Sequence, residues 1–506
     1  MKKLFALFGL AWLALTAQAA LPQPDLIAQI YFAGPQKISP GIHTAAFTNE
    51  FCSPEAAALQ TQTTAKLATW LAGWLQTNLN VSVPDGPAKL SAVLSDLEHS
   101  EWYLESRTGP DGKPVVGIAI KIAMTKAQTW ESGLKPFFTG ATFKTANGWL
   151  IFDSDPARLK LADHLTQATT SQAVGAINMD INWPHLAQWY PALSKLALPE
   201  THFTITIPDN DFRIDGKFVY PEPLALKLEP WKLPTNTIHM PFNTLMAVRG
   251  FGSWLQSQKW AQSFQFTPAL NQLFVWSQPF SPFQTFAATP VPNASNALSQ
   301  TYAQLLPMLK SANANHVFAT PVSAAMAENT VQIRGMPFVT PSWQAVTEPA
   351  GDYLFLGLFA NTPSGKPLPD QILHQFSNTN AVYLQWENTA PRMPQLLNET
   401  QFGLMITTHR QLTGKSAAME WLQKTGPALG NTETEIDRTG PAELIFVRKA
   451  PGIFTAAELY LLANWLEMPH FPAWDLTIPS TPAGTYVPPQ SRSLPPGFSP
   501  QPVPAH

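Results

Sequence analysis

Ser132-Gly133-Leu134-Lys135, Ser311-Ala312-Asn313 and Lys424-Thr425-Gly426 occur in the order that serine acyl transfer uses, S-x-x-K, S-x-N and K-T-G. That chemistry needs the serine at a helix start with its lysine one turn on, and the third motif on a strand lining the cleft. The local sequence predicts otherwise. Pro136 follows Lys135 and disfavours helix beyond it, and Lys424-Thr425-Gly426-Pro427 reads as the Gly-Pro stop of the helix before it. Asp153-Ser154-Asp155-Pro156 could supply the two carboxylates of glycoside hydrolysis, yet Asp155 before Pro156 is an ordinary helix start. Asp209, Asp211 and Asp215 suggest a calcium loop. Arg213 stands at the third ligand position, however, and Ile214 where glycine is needed, so a hairpin turn explains them better.

The 11 histidines are dispersed, with no H-x-H, H-x-x-H or H-E-x-x-H pair, and no metal site is expected. Cys52 is the one cysteine, which rules out an internal disulfide; it is predicted as a small buried residue just before a helix. Among 17 tryptophans, Trp70, Trp74, Trp254, Trp421 and Trp465 fall on apolar helix stripes and Trp102, Trp149 and Trp276 in strands. They are predicted as core and not as a sugar-binding platform. No catalytic, cofactor-binding or metal-ligating residue is assigned, and no cofactor is expected.

The elements that would position these residues alternate between hairpins and helices. Strands at 102–107 and 115–122 flank Thr108-Gly109-Pro110-Asp111-Gly112-Lys113, and strands at 142–145 and 149–153 flank Ala146-Asn147-Gly148. A third hairpin joins 203–207 to 212–220. Further strands are predicted at 244–248, 272–276, 283–288, 330–334, 352–358 and 381–386. Ser53-Pro54-Glu55 starts a helix whose stripe is Leu67, Trp70, Leu71, Trp74 and Leu75. Other helices are predicted at 126–138, 156–166, 184–193, 252–262, 294–309, 417–424 and 454–467. Hairpins interrupted by helices, without strict β-α-β alternation, predict an α+β fold of antiparallel sheets with helices packed on one face. A strand leading into a helix recurs from 174, 245 and 382. These starts lie about 70 and then about 136 residues apart, which suggests repeated modules with a period near ~68.

Met1-Lys2-Lys3, an apolar run from Leu4 to Leu15, and Ala17-Gln18-Ala19 form an export signal, with cleavage expected after Ala19. Residues 1–19 are thus the signal peptide, and the mature chain is expected to be periplasmic or secreted. No later stretch is apolar enough to anchor it in a membrane. Charged residues are 13% of the chain and the net charge is −3, with no dense Lys/Arg run, so a nucleic-acid partner is excluded. The prolines from Pro221 through Pro230, Pro234 and Pro241 mark a boundary between an N-terminal α+β domain, 20–230, and a C-terminal one, 241–478. The proline-rich tail 479–506 cannot bury a core and is expected to be disordered.

Five segments are spread along the chain: Leu21-Pro22-Gln23-Pro24-Asp25-Leu26, Phe51-Cys52-Ser53-Pro54-Glu55-Ala56, Leu228-Glu229-Pro230-Trp231, Ala247-Val248-Arg249-Gly250 and Gly440-Pro441-Ala442-Glu443-Leu444. Together they resemble a group of uncharacterised secreted proteins of the Verrucomicrobia. The resemblance implies export and a shared domain layout, and it brings no catalytic residue with it. The expectation is a monomeric or weakly associating, non-catalytic, envelope-associated binding or structural protein whose ligand or envelope partner is unknown. The alternative is an extracytoplasmic hydrolase acting on cell-wall or polysaccharide material.

Overall fold

The computed structural model describes residues 25–38, 45–109, 112–157, 159, 161, 175–188, 198–208, 211–257, 270–279, 284–318, 320–336, 339–359, 364–408, 416–468 and 471–472. The expected leader, the tail 479–506 and most of the helix expected at 156–166 lie outside them. The first half contains β1 (Leu26–Phe32), α1 (Pro54–Leu79), α2 (Gly86–His99), β2 (Trp102–Thr108), β3 (Pro114–Ile120), α3 (Ala127–Leu134), β4 (Thr142–Ala146), β5 (Trp149–Asp153), β6 (Ile177–Asn182), α4 (Trp183–Leu186), β7 (Glu200–Thr206) and β8 (Phe212–Val219). The second half opens with β9 (Thr244–Arg249), α5 (Gly252–Ser257), β10 (Gln272–Ser277), β11 (Thr285–Val291), α6 (Ala294–Ala314), β12 (Ser323–Ala327), β13 (Thr330–Arg334), β14 (Ser342–Glu348) and β15 (Gly351–Gly357). It closes with α7 (Asp370–Gln375), β16 (Ala381–Asn388), α8 (Thr389–Thr408), α9 (Ala417–Thr425), β17 (Asn431–Gly440), β18 (Glu443–Ala450) and α10 (Ala456–Glu467).

Among the described residues all 18 strands join in one sheet. The antiparallel pairings run β4–β5–β3–β2–β1–β6–β7–β8 and continue through β18–β17–β16–β9–β10–β11–β15–β14–β13–β12. The two halves repeat one topology. Outward from the β8·β18 junction, β8–β7–β6–β1–β2–β3–β5–β4 is matched by β18–β17–β16–β9–β10–β11–β15–β14. The helices correspond as well: α3 and α6 follow β3 and β11, and α4 and α8 follow β6 and β16. The β12–β13 hairpin has no counterpart in the first half. The repeat is therefore the half chain and not a period near ~68 residues. The starts at 245 and 382 belong to β9 and β16, different strands of one module, whereas the start at 174 leads into β6, the true counterpart of β16.

Period-two alternation separates the faces of the sheet. Directly opposed residues Ile118, Leu104, Ile30, Met179, Phe203, Gly216, Phe446 and Ile436 form an apolar row on one face. On the helix-bearing face α1, α2 and α3 cover Ile118, Ile120, Leu150 and Phe152. The α6 helix covers Val331 and Leu354 on the same face, while α8, α9 and α10 pack together with the start of α1. In the second half the opposite face is also closed: α7 and the coil around Trp231, Leu233 and Ile238 pack on Leu245, Ala247, Phe274 and Trp276. Residues 220–243 connect the halves without a helix or strand, apart from one bridge between Met240 and Lys366.

Candidate functional site

One residue over from the apolar row lies a polar one, on the face of the first half opposite α1, α2 and α3. Its directly opposed members are Thr142, Asp153, Gly117, Glu105, Gln29, Asp180, His202 and Lys217. Gly117 has a steric task here, because a Cβ would collide with Leu161, which lies across the row. Glu105 and Asp153 are consequently buried. Arg107 bridges Glu105 and Asp25, the latter at 2.8 Å through Nη1. The Tyr31 hydroxyl donates to Glu101 Oε1 at 2.9 Å, and Lys121 Nζ reaches Glu101 Oε2 at 2.8 Å. His202 Nδ1 meets Asp180 Oδ1 at 2.8 Å, Lys217 pairs with Glu443 at 2.6 Å, and Gln29 bonds the Tyr103 hydroxyl. Burial pushes the Asp153 carboxyl up to about 6; the Asp155 amide opposes this, and the charges of Asp155 and Glu105 add to it. Burial, reinforced by Glu105 and Asp180, raises Tyr103. Burial thus raises the proton affinity of Asp153 toward neutral pH.

A second acid stands apart. Glu50 lies in a π-helical turn, Thr48–Cys52, that runs into α1. It is 2% exposed and neither carboxylate oxygen has a hydrogen-bond partner. Burial pushes it up to about 8, opposed by the nearby Ile453 amide, which favours the charged form without completing a hydrogen bond. Gly452 leaves the room: a Cβ there would stand 3.0 Å from Glu50 Oε2. The turn itself is fixed by the other half of the chain. Trp421 Nε1 donates to Glu50 O at 2.9 Å, Asn49 Nδ2 to Lys424 O at 3.3 Å, and the Thr425 hydroxyl to Asn49 O at 3.2 Å.

Two buried arginines were not legible in the sequence as site residues. Arg249 donates to the carbonyls of Ala381, Glu229, Asn378 and Thr379 at 2.6–3.0 Å and stacks 4.5 Å over Trp231. It thereby clasps the inter-half coil to the loop before β16, and brings together two of the segments that carried the family resemblance. Arg448 forms a two-pronged pair with Glu458 at 2.7 and 2.8 Å, and Glu458 completes the capping box of Thr455 at the start of α10. Glu387 accepts from Ala456 N and the Thr389 hydroxyl beside them. The available signal was a lone arginine at an inward position of an apolar strand.

The motifs of acyl transfer are dispersed. Ser132 and Lys135 are on α3 and its end, which packs on α2; the Ser132 hydroxyl donates to Thr129 O and Lys135 pairs with Glu131 at 2.9 Å. Ser311 is on α6, and Lys424 is on α9, which packs on α1 and α10. Asp209 lies outside the described residues, while Asp215 is held by Arg213 at 2.7 Å. Asp155 accepts from Ala157 N, as a helix start would have it. Among the described residues no group of His, Cys, Asp and Glu could hold a metal ion. Three expectations need correction. Cys52 is exposed, because the π-helical turn rotates it outward while Glu50 points in. Trp254 is 42% exposed on the short α5. The buried line of α1 runs through Leu59, Ala68, Ala72 and Leu75, leaving Trp70 half-buried and stacked on Trp74 at 6.3 Å.

No family model matches the chain, and no curated protein matches it. One solved structure, crystal form I of TP0453, overlaps it with a TM-score of 0.22 and 9% identity. The overlap covers 47% of this chain and 99% of that one.

Proposed function

We propose that this chain is an exported, non-catalytic binding or structural protein of the cell envelope that acts through the surface of its sheet. The observation that carries the reading is the pairing of acidic and basic side chains on the face opposite α1, α2 and α3. Lys121 with Glu101, Lys217 with Glu443 and the hydrogen-bonded His202 and Asp180 form a pre-set polar row, backed by the buried pairing of Arg107 with Glu105 and Asp25. Acids tied to basic partners suit recognition, whereas a hydrolytic pair needs one acid protonated and the other available to water or substrate. The lysines and apolar run at the start support export. Among the described residues no helix is long and apolar enough to cross a membrane.

The alternative, a cell-wall or polysaccharide hydrolase, is favoured by one observation: Asp153, with its carboxyl raised to about 6, lies in the same row as Glu105. Incubation with a fluorescent penicillin, a fluorophosphonate, peptidoglycan and soluble polysaccharides separates the readings. We expect neither labelling nor release of sugars or peptides. Label lost on Ser132→Ala, or turnover lost on Asp153→Asn, would establish the hydrolase.

A further inference from the structure

We propose that β12 is a pairing edge, and that its occupant is β12 of a second copy of this chain, aligned antiparallel across a two-fold axis at Ala325. The sheet has two ends. At one, β4 carries Lys144, a charge of the kind that blunts an edge against pairing. At the other, β12 is Ser-Ala-Ala-Met-Ala: uncharged, free of proline, and in unbroken register with β13. Among the described residues β13 is its one strand partner, so its outer backbone groups face away from the sheet. The β12–β13 hairpin extends the second half beyond the repeated topology, so the first half has no equivalent edge.

The edge also carries an apolar ledge. Met326 opposes the buried Val331 and ends the helix-face row, yet it is 41% exposed because no strand among the described residues lies beyond it. Asn313 of α6 grips the backbone of Val322, just before β12, at 2.7 and 2.9 Å. Leu306 precedes Asn313 by seven residues, so it lies on the same flank of the helix, and it is 43% exposed. A strand added to β12 would cover both side chains.

The identity of the occupant follows from charge and closure. A two-fold pairing sets Ala325 against its own copy and Ala324 against the partner's Met326, with no like charges opposed. It closes the assembly, whereas β12 against β4 of another copy would leave both ends free to continue into a fibre. The chain's own tail is unsuited, since its repeated prolines lack the N–H groups a ladder needs. The chain already uses this kind of join internally, where β8 and β18 pair edge to edge. The inference does not depend on what the sheet face binds, and it replaces the expectation of a monomer.

Sedimentation equilibrium of the full chain tests it, alongside Ala325→Lys and, in a Cys52→Ser background, Ala325→Cys and Lys144→Cys. We expect a mass that doubles with concentration, a monomeric Ala325→Lys with an unchanged melting temperature, and an oxidised dimer from Ala325→Cys. Facing Cβ atoms in such a pair lie about 4.5–5.5 Å apart, near enough for minor adjustment to form a disulfide. Should Ala325→Lys fail to fold, the cysteine variants decide. A chain that stays monomeric, a dimer that survives Ala325→Lys, or cross-linking through Lys144→Cys alone overturns the proposal. So does a monomer whose edge takes up an extended peptide.

Discussion

Glu50 gives the clearest prediction at the scale of a residue. In the unfolded chain its carboxyl titrates near 4.5, and in the folded chain near 8. Between those values the folded state holds the extra proton, so this residue makes stability fall as pH rises through that window and level off above it. Glu50→Gln, neutral at every pH, should flatten this slope: melting near pH 4.5 should match the parent, and at pH 8 the variant should be more stable by on the order of a few kcal/mol. Equal slopes for parent and variant would count against the burial of this acid. Tryptophans give a second contrast. Trp130 is fully buried, and its Nε1 donates to Asp96 Oδ2 at 3.0 Å. Its replacement by alanine should cost about 3–5 kcal/mol in denaturant unfolding, whereas Trp70→Ala should cost under ~2 kcal/mol, since Trp70 stacks at the helix margin. Residue type and helical spacing identified the stripe but not its centre, because the close approach of α1 to its neighbours is made by Ala68 and Ala72, whose small side chains carry little pattern.

At the scale of elements, the hairpins were legible wherever turn chemistry is strong: Asn147 and Gly148 both take positive φ, as an Asn-Gly turn requires. Both β17 and β18 were missed. In β17 the buried side chains are Thr432 and Thr434, and the alternate ones are Glu433 and Glu435, so polar residues face both ways and period-two hydrophobicity disappears. Thr434 is inward because Arg448 Nε donates to its hydroxyl at 2.9 Å. The α2 helix was missed as well, since Gly86-Pro87 looks like a break and here begins the helix instead. Arg249 is the element-scale test. Arg249→Met keeps the apolar stem but leaves four carbonyls without their donor, and should cost about 3 kcal/mol or more. Because Arg249 ties the coil to the loop before β16, hydrogen exchange should rise first at 229–231 and 378–381. Uniform loss of protection across β9 and β10 would show that the arginine serves the strand and not the clasp.

For the whole molecule, the sequence read correctly as α+β with antiparallel strands, while α7 packs on the face opposite the other helices of the second half. The continuity of the sheet was not visible. It depends on β8 meeting β18, and nothing local in either strand names a partner so distant. The doubling of the topology was equally hidden, because corresponding helices differ in length: α3 spans 8 residues and α6 spans 21. The candidate site behaved similarly. Asp153 read as the end of a strand and as one half of a carboxylate pair with Asp155, and the row containing it exists only through pairing across the eight strands of the first half.

The β8·β18 junction also has a consequence in time. Gly216 pairs with Phe446, and Val219 with Glu443, so the seam cannot close until almost the whole described chain is available. A chain emerging from its N-terminus first can assemble β1 to β8 early, and must then carry β8 as an open edge while the second half is still being delivered. Contacts so far apart in sequence slow folding and prolong the exposure of unpaired backbone. Such a chain is one whose safe maturation depends on what shields that strand during the wait.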